Sequence, residues 1–341
     1  AQLRQDYEPL IEIHQAKGNS EVHADFWKND EFAAFEPYSS GPPREDNYVR
    51  YALKKGLEHE ADLGVNPFKF GLIGSTDAHT SLATTREDNF YGKNTPSEPD
   101  AERWSHLFFK GEKPGTSYYN WETLASGLAA VWARENTREA IWDAFKRIEV
   151  YATTGSRILV RVFSGWDFTA DEVERHDFAD RGYAGGVPMG GDLRQAPEGK
   201  TPTFMIRALR DPDNANLDRI QIIKGWVNKN GESEERIYDV AVSDDRKIGA
   251  NGRCKTPVGN SVIIADARYT NTIGDVLLTD YWKDPDFDPD QRAFYYVRVI
   301  EIPKPSWQAY DAKFYGVKIS SEVPLTVQDR AYTSPIWYNP E

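Results

Sequence analysis

Asp77 and His79 stand two residues apart at the end of the stretch FKFGLIGSTDAH, residues 68–79. On an extended backbone that spacing points both side chains the same way. Residues 68–73 are apolar except for Lys69 and read as a short buried strand, and Gly74-Ser75 turns the chain. A carboxylate and an imidazole just past the carboxyl end of a strand are where α/β barrels and open α/β sheets place their chemistry. Carboxylate oxygen and imidazole nitrogen are also ligands that zinc, manganese and iron accept. An Asp-x-His triplet by itself is equally compatible with a turn aspartate beside a surface histidine.

Other residues able to join such a centre lie earlier. Residues 10–14, Leu-Ile-Glu-Ile-His, alternate as a strand that puts Glu12 and His14 on one face and Ile11 and Ile13 on the other. Inward acid and imidazole groups need a partner, and a metal would supply one; an edge strand with a wet face is the other reading. The loop that follows carries Lys17, Glu21 and His23. Lys17 could meet an anionic substrate or simply be solvated. Arg86, seven residues past His79, is placed either to clamp an oxyanion or to form a surface ion pair.

The elements that must position these groups follow from pattern. Residues 48–64 form an amphipathic helix, with Gly64 as its stop. Strand, loop, helix, strand is the α/β order, with parallel strands and a crossover. Residues 25–41 are an aromatic-rich loop, and 80–119 a long Gly/Pro/Asn/Ser-rich excursion of the kind that shapes a cleft. A helix capped at Asn136 or Thr137 runs to Ile148, its apolar face made by Ala140, Ile141, Ala144, Phe145 and Ile148. After about residue 155 the texture changes. Strands are expected at 157–163, 203–209, 219–227, 236–242, 261–269 and 292–301, separated by turn-rich segments, which argues a β-sandwich. GGVPMGG and DPDFDPDQ read as a plain loop and a solvated turn.

The 341 residues suffice for two domains, and hydrophobic (39%) and charged (28%) contents are those of a globular protein. No apolar run is long enough to span a membrane as a helix. A net charge of −13, with no basic stripe, argues against nucleic acid. Cys254 is the only cysteine, so an intrachain disulfide and a zinc–thiolate cluster are both excluded. Ten Trp and eighteen Tyr point to aromatic packing, or to an aromatic-lined cleft.

Several stretches, taken in order, carry a resemblance: EIHQAKGNSE, FGLIGSTDAHTSLATTREDNFYGK, GLAAVWARENTREAIWDAFKRIEVYATTGSRI, GVPMGGDL, RIQIIKGW, DPDQRAFYYVRVIE and AYTSPIWY. Together they resemble the domain-of-unknown-function family 3604, within the PHP (polymerase and histidinol phosphatase) superfamily of metal-dependent hydrolases. The resemblance implies an α/β plus all-β chain. Residues 1–155 would be the C-terminal half of a PHP-type distorted (β/α)7, TIM-like barrel. Residues 156–341 would be a β-sandwich-like accessory domain. It also implies a centre of two or three divalent transition metal ions (Zn, Mn or Fe) that hydrolyses a phosphate ester; a sulfate ester or amide is the alternative, and a binding module with a relic barrel another. Asp77, His79 and Glu12 map onto metal ligands, and His14 and His23 are further candidates. Lys17 and Arg86 would hold the anionic substrate. The resemblance suggests a periplasmic or secreted protein; a single cysteine suits the cytoplasm as well.

One departure is large. The superfamily opens with His-x-His, which occurs nowhere in these residues. Three ligands cannot hold a multi-metal cluster, nor can half a barrel close its sheet. The expectation is therefore a C-terminal piece of a longer protein, paired with an N-terminal fragment of the same protein that carries the His-x-His motif.

Overall fold

The computed structural model describes residues 1–35, 42–112 and 116–341. Parts of the two long loops expected at 25–41 and 80–119 lie outside these residues. Within them the chain is built mostly of strands, with five short helices, and no barrel forms. The expected half of a PHP-type or TIM-like (β/α)7 barrel is therefore incorrect. Its two strands do pair in parallel, β1 (Leu10–Gln15) with β3 (Gly71–Gly74), but only the two-residue β2 (Gly18–Asn19) extends that sheet.

The largest element is an eight-stranded sheet. At its centre lies β15 (Ala293–Glu301), flanked on one edge by β12 (Leu217–Val227), which pairs in turn with β13 (Ser233–Val242). The other edge of β15 forks. Ala293–Tyr295 pair with β19 (Ile336–Asn339), which pairs with β10 (Asp192–Arg194). Arg298–Ile300 pair with β18 (Arg330–Thr333), then β7 (Val150–Thr153) and β6 (Leu128–Val131). A four-stranded antiparallel sheet lies across one face, in the order β14 (Leu277–Lys283), β11 (Thr203–Leu209), β8 (Leu159–Gly165), β9 (Gly186–Pro188). Val160, Phe204 and Ile206 from the smaller sheet meet Ile220, Ile222, Tyr295 and Val297 from the larger in one core. Alternation explains this: along β12, Ile220 and Ile222 face that core while Ile223 faces the other way.

The opposite face of the large sheet settles the barrel question. Helix α2 (Val49–Leu63) follows the short α1 (Gln2–Tyr7), and has a left-handed Gly64 as its cap. Its stripe of Val49, Leu53 and Leu57 packs on Ile223, Ile237, Phe294 and Trp337, together with Ile13 and Leu72 of the small parallel sheet. Amphipathicity requires a helix to cover an apolar surface without saying which. Here the large sheet provides the cover a barrel would have given, so residues on both sides of position 155 share one core.

A buried ionic cluster closes this layer. The Arg50 guanidinium donates to Glu21 (2.5 Å), Asp30 (2.9 Å) and Tyr296 Oη (2.8 Å). Arg298 donates to the same two carboxylates (3.0 Å and 2.8 Å) and to Gln221.

The remaining helices are α3 (Arg138–Lys146), capped by Thr137, then α4 (Phe178–Gly185) and α5 (Trp307–Tyr315). Two short antiparallel pairs complete the set: β4 (Leu107–Phe109) with β5 (Tyr118–Tyr119), and β16 (Lys304–Pro305) with β17 (Thr326–Val327), the second pair flanking α5 in the chain. The strand expected at 261–269 is a 3-10 turn, Ile264–Asp266, held by the single bridge Ile263–Arg268. In DPDFDPDQ, Asp284 is buried against Lys224 (2.6 Å), so that turn is not wholly solvated.

Candidate functional site

Where β3 ends, the chain runs between strands. A Cβ on Gly74 would lie 2.8 Å from both the Leu128 and the Thr153 carbonyl oxygens, so the strand that delivers Asp77 can approach β6 and β7 only as glycine. Gly74→Ala is expected to destabilise the fold by about 1–3 kcal/mol and to shift residues 75–79. Urea denaturation checks the first effect; an unchanged midpoint would show that the backbone yields freely.

Asp77 has a left-handed backbone (φ 47°), unusual for a residue with a side chain although aspartate tolerates it best. The turn points its carboxylate at three cationic or polar groups. His79 Nε2 is 3.0 Å from Oδ1, Lys17 Nζ is 3.3 Å from Oδ2, and the Lys93 ammonium is in ion-pair contact with Oδ2. Lys93 Nζ also donates to the Asp77 carbonyl (2.7 Å) and lies 3.4 Å from His79 Nε2. Partial burial tends to raise the Asp77 pKa, but Lys93, His79 and Lys17 together hold it down at about 2. Burial lowers the Lys93 pKa, with Asp77 opposing. Glu12, exposed in the middle of β1, accepts a hydrogen bond from Ser75 Oγ and adds its charge to the field at Lys93.

The loop that carries Lys93 is anchored at several points. The His79 amide donates to the Lys93 carbonyl (2.7 Å), and the Lys93 amide to Ser97 Oγ (2.9 Å). Farther along, Arg103 forms a fork on Asp311 of α5 (2.5 and 2.8 Å), donates to the Phe90 and Ser97 carbonyls, and stacks on Trp307. The excursion after β3 is thus tied to the C-terminal part of the chain.

The structure brings Asp77, His79, Lys17 and Glu12 to one place and leaves three other candidates outside it. A register shift between Glu12 and His14 breaks the alternation of β1 and turns His14 into the core, stacked on Phe35. Burial lowers the His14 pKa to about 4, so it is neutral near pH 7. His23 sits among Phe26 and Tyr48, with Nδ1 accepting from the Asp25 amide (3.1 Å). Arg86 is forked on Asp88 (2.9 and 2.6 Å) on the wall of a different pocket, with Asp213 and Lys304. Lys93 was not foreseen. It lies 16 residues beyond Asp77 in a loop without periodicity, and its own environment, GKNTPS, gives no chemical signature.

Whether a metal suits this place can be judged from the donors. Oδ1 of Asp77 and Nε2 of His79 are spaced as two ligands of one ion would be, and the Lys93 ammonium already sits among Asp77 Oδ2, the Asp77 carbonyl and His79 Nε2, as a cation would. The chemistry of the donors fits a cation. The number does not complete a centre: among the described residues no group of three or more His, Cys, Asp or Glu side chains is arranged to hold a metal ion.

Residues 1–340 match the family described as Protein of unknown function (DUF3604). No curated protein matches the chain.

Proposed function

The chain belongs to the DUF3604 family, and from that starting point we propose that it supplies part of the site of a metal-dependent hydrolase acting on an anionic ester, a phosphate ester first. The observation that carries this reading is the pairing of Asp77 with His79 at 3.0 Å, a donor set that already attracts the side-chain ammonium groups of Lys93 and Lys17. A divalent transition metal, when bound, supplies a water of lowered pKa and neutralises charge on the oxygens of the ester. Asp77 and His79 would hold it from this chain, with Glu12 close by and the remaining ligands from elsewhere. Lys17 and Lys93 orient and neutralise the substrate's anionic oxygens, a task suited to compact ammonium charges. The Asp77 carboxylate stays ionised throughout the neutral range because its neighbours are cationic. The proposal includes membership of the PHP superfamily and a second source of ligands, an N-terminal fragment of the same protein with His-x-His. Sulfate-ester or amide hydrolysis is the alternative with the same groups.

The test combines elemental analysis with turnover of p-nitrophenyl phosphate and p-nitrophenyl sulfate, by the chain alone and with an N-terminal fragment bound. His79→Ala is expected to lower metal content and turnover together. Lys93→Met is expected to keep the metal and lower turnover by about 10²-fold. Full turnover after the metal is stripped would overturn the reading, and so would a Lys93→Met variant as active as the parent. Absence of both metal and turnover with the fragment bound would favour a binding module.

A further inference from the structure

A separate cavity of about 450 Å³ opens between the N-terminal layer and the antiparallel pair β16–β17. That volume is in the range of small-molecule sites. Its walls mix apolar and aromatic side chains, Phe32, Phe35, Trp121, Leu124 and Val327 among them, with polar ones that include Glu31 and Glu122; Glu31 is already paired with Arg219 (2.8 Å). Two polar side chains on these walls are buried and incompletely matched.

The first is Arg330 of β18, 2% exposed. Its guanidinium carbon lies 3.5 Å from the centre of the Phe35 ring, which fixes the plane of the fork. It donates to the Phe32 carbonyl (3.2 Å) and, at 3.5 Å, toward that of Gln328. Among the described residues it has no ion-pair partner. Glu21 and Asp30, whose charges act on it, are already engaged by Arg50 and Arg298. Burial pushes the Arg330 pKa below the usual arginine value, and the Arg298 charge adds to this. A buried guanidinium in that state is costly unless an anion joins it.

The second is Gln308 of α5, 4% exposed. Its Nε2 donates to the Trp121 carbonyl (2.9 Å), while Oε1 has no hydrogen-bond donor among the described residues. An acceptor left bare in a buried wall is a place for a ligand's N–H or O–H.

We propose that this cavity binds a small organic carboxylic acid whose ring or apolar body packs on Phe32, Phe35 and Trp121, with its carboxylate on Arg330. The planar fork of arginine matches a carboxylate edge to edge. Gln308 Oε1 accepts from a hydroxyl or amide on the same molecule. This site uses none of the groups around Asp77, so it stands or falls independently of the hydrolase reading.

Isothermal titration of the full chain with benzoate, 4-hydroxybenzoate and cyclohexanecarboxylate tests the proposal, with benzamide and inorganic phosphate as controls at the same pH. At least one acid is expected to bind with a dissociation constant of about 1 mM or tighter, and benzamide and phosphate about tenfold or more weakly. Arg330→Met is expected to bring the acid down to the level of benzamide. Because Arg330 is buried and that variant could fail to fold, Thr326→Trp, from an exposed position on the wall, is the second variant and should abolish binding by filling the space. Any of three results overturns the proposal: no acid binding at about 10 mM, benzamide or phosphate binding as tightly as the acids, or acid binding unchanged by Thr326→Trp.

Discussion

Arg298→Met is expected to destabilise the protein by about 3–5 kcal/mol, the cost of removing one partner from a buried charge cluster. Methionine matches much of the arginine stem in volume, so cavity formation contributes little. What remains is the pair Glu21 and Asp30, both buried, with Arg50 alone to neutralise them. Gln221 loses the donor to its Oε1 as well. The three acidic and basic segments come from the loop after β2, helix α2 and strand β15, so the damage falls on the junction between the N-terminal layer and the large sheet. Urea denaturation gives the magnitude. Hydrogen exchange gives the place: amides of α2 should lose protection before those of β11 and β12. A loss below about 1 kcal/mol would show that the cluster sets geometry and adds nothing to stability.

Stability should fall on both sides of a maximum in the mildly acidic range, for two distinct reasons. On the acid side, Glu21 and Asp30 are responsible. Burial works to raise their pKa values, but Arg298 and Arg50 overcome it and hold both below the ordinary carboxylate range. Groups with a depressed folded pKa contribute stability above their unfolded pKa and lose it as pH falls toward the folded one. On the alkaline side the sign reverses. Glu87 and Glu301 are buried near Asp329 and share one cation, Lys304, which pairs with Asp329 at 2.5 Å and lies 3.6 Å from Glu301. Burial, with the Asp329 charge, raises both glutamates to about 8 despite Lys304; Asp88 and Asp211 push in the same direction. A proton held more tightly by the folded state contributes stability that is full below the unfolded pKa and drains away as pH rises toward 8, a loss of a few kcal/mol. Glu87→Gln keeps an acceptor for the Trp307 amide, which donates to Glu87 at 2.6 Å, while removing the titration. The urea midpoint of this variant should decline less between pH 6 and 9 than that of the parent. Superimposable profiles would show that Glu87 holds no proton in the folded state.

Much of the local structure was legible because it depends on neighbours in sequence. The stripe of α2, the Thr137 cap, and the strands at 203–209 and 292–301 all declare themselves through period and turn chemistry. What covers α2 did not, since an apolar stripe fits a barrel wall and the back of a large sheet equally well. His14 was misplaced because one register shift in β1 inverts every face assignment beyond it. The 261–269 run has strand composition, but its only strand bridge among the described residues is internal. Of the site, the Asp77–His79 pair and its neighbour Lys17 could be read from spacing and order. Lys93 could not, because its position is set by a loop whose anchors, Trp307 and Asp311, lie some two hundred residues away.

Strands β18 and β19 occupy interior positions of the large sheet although they follow every other described strand in the sequence. Among the described residues, β18 is the only hydrogen-bonded link from β15 to β7 and β6, the strands on which Gly74 rests. During synthesis, then, the ground beneath Asp77 and His79 cannot set until residues 330–333 have left the ribosome. Up to that moment the nascent chain carries two open strand edges, on β15 and on β7, that can pair with another copy as readily as with its own missing segment. A chain released before residue 330 would carry every candidate site residue and no floor to hold them.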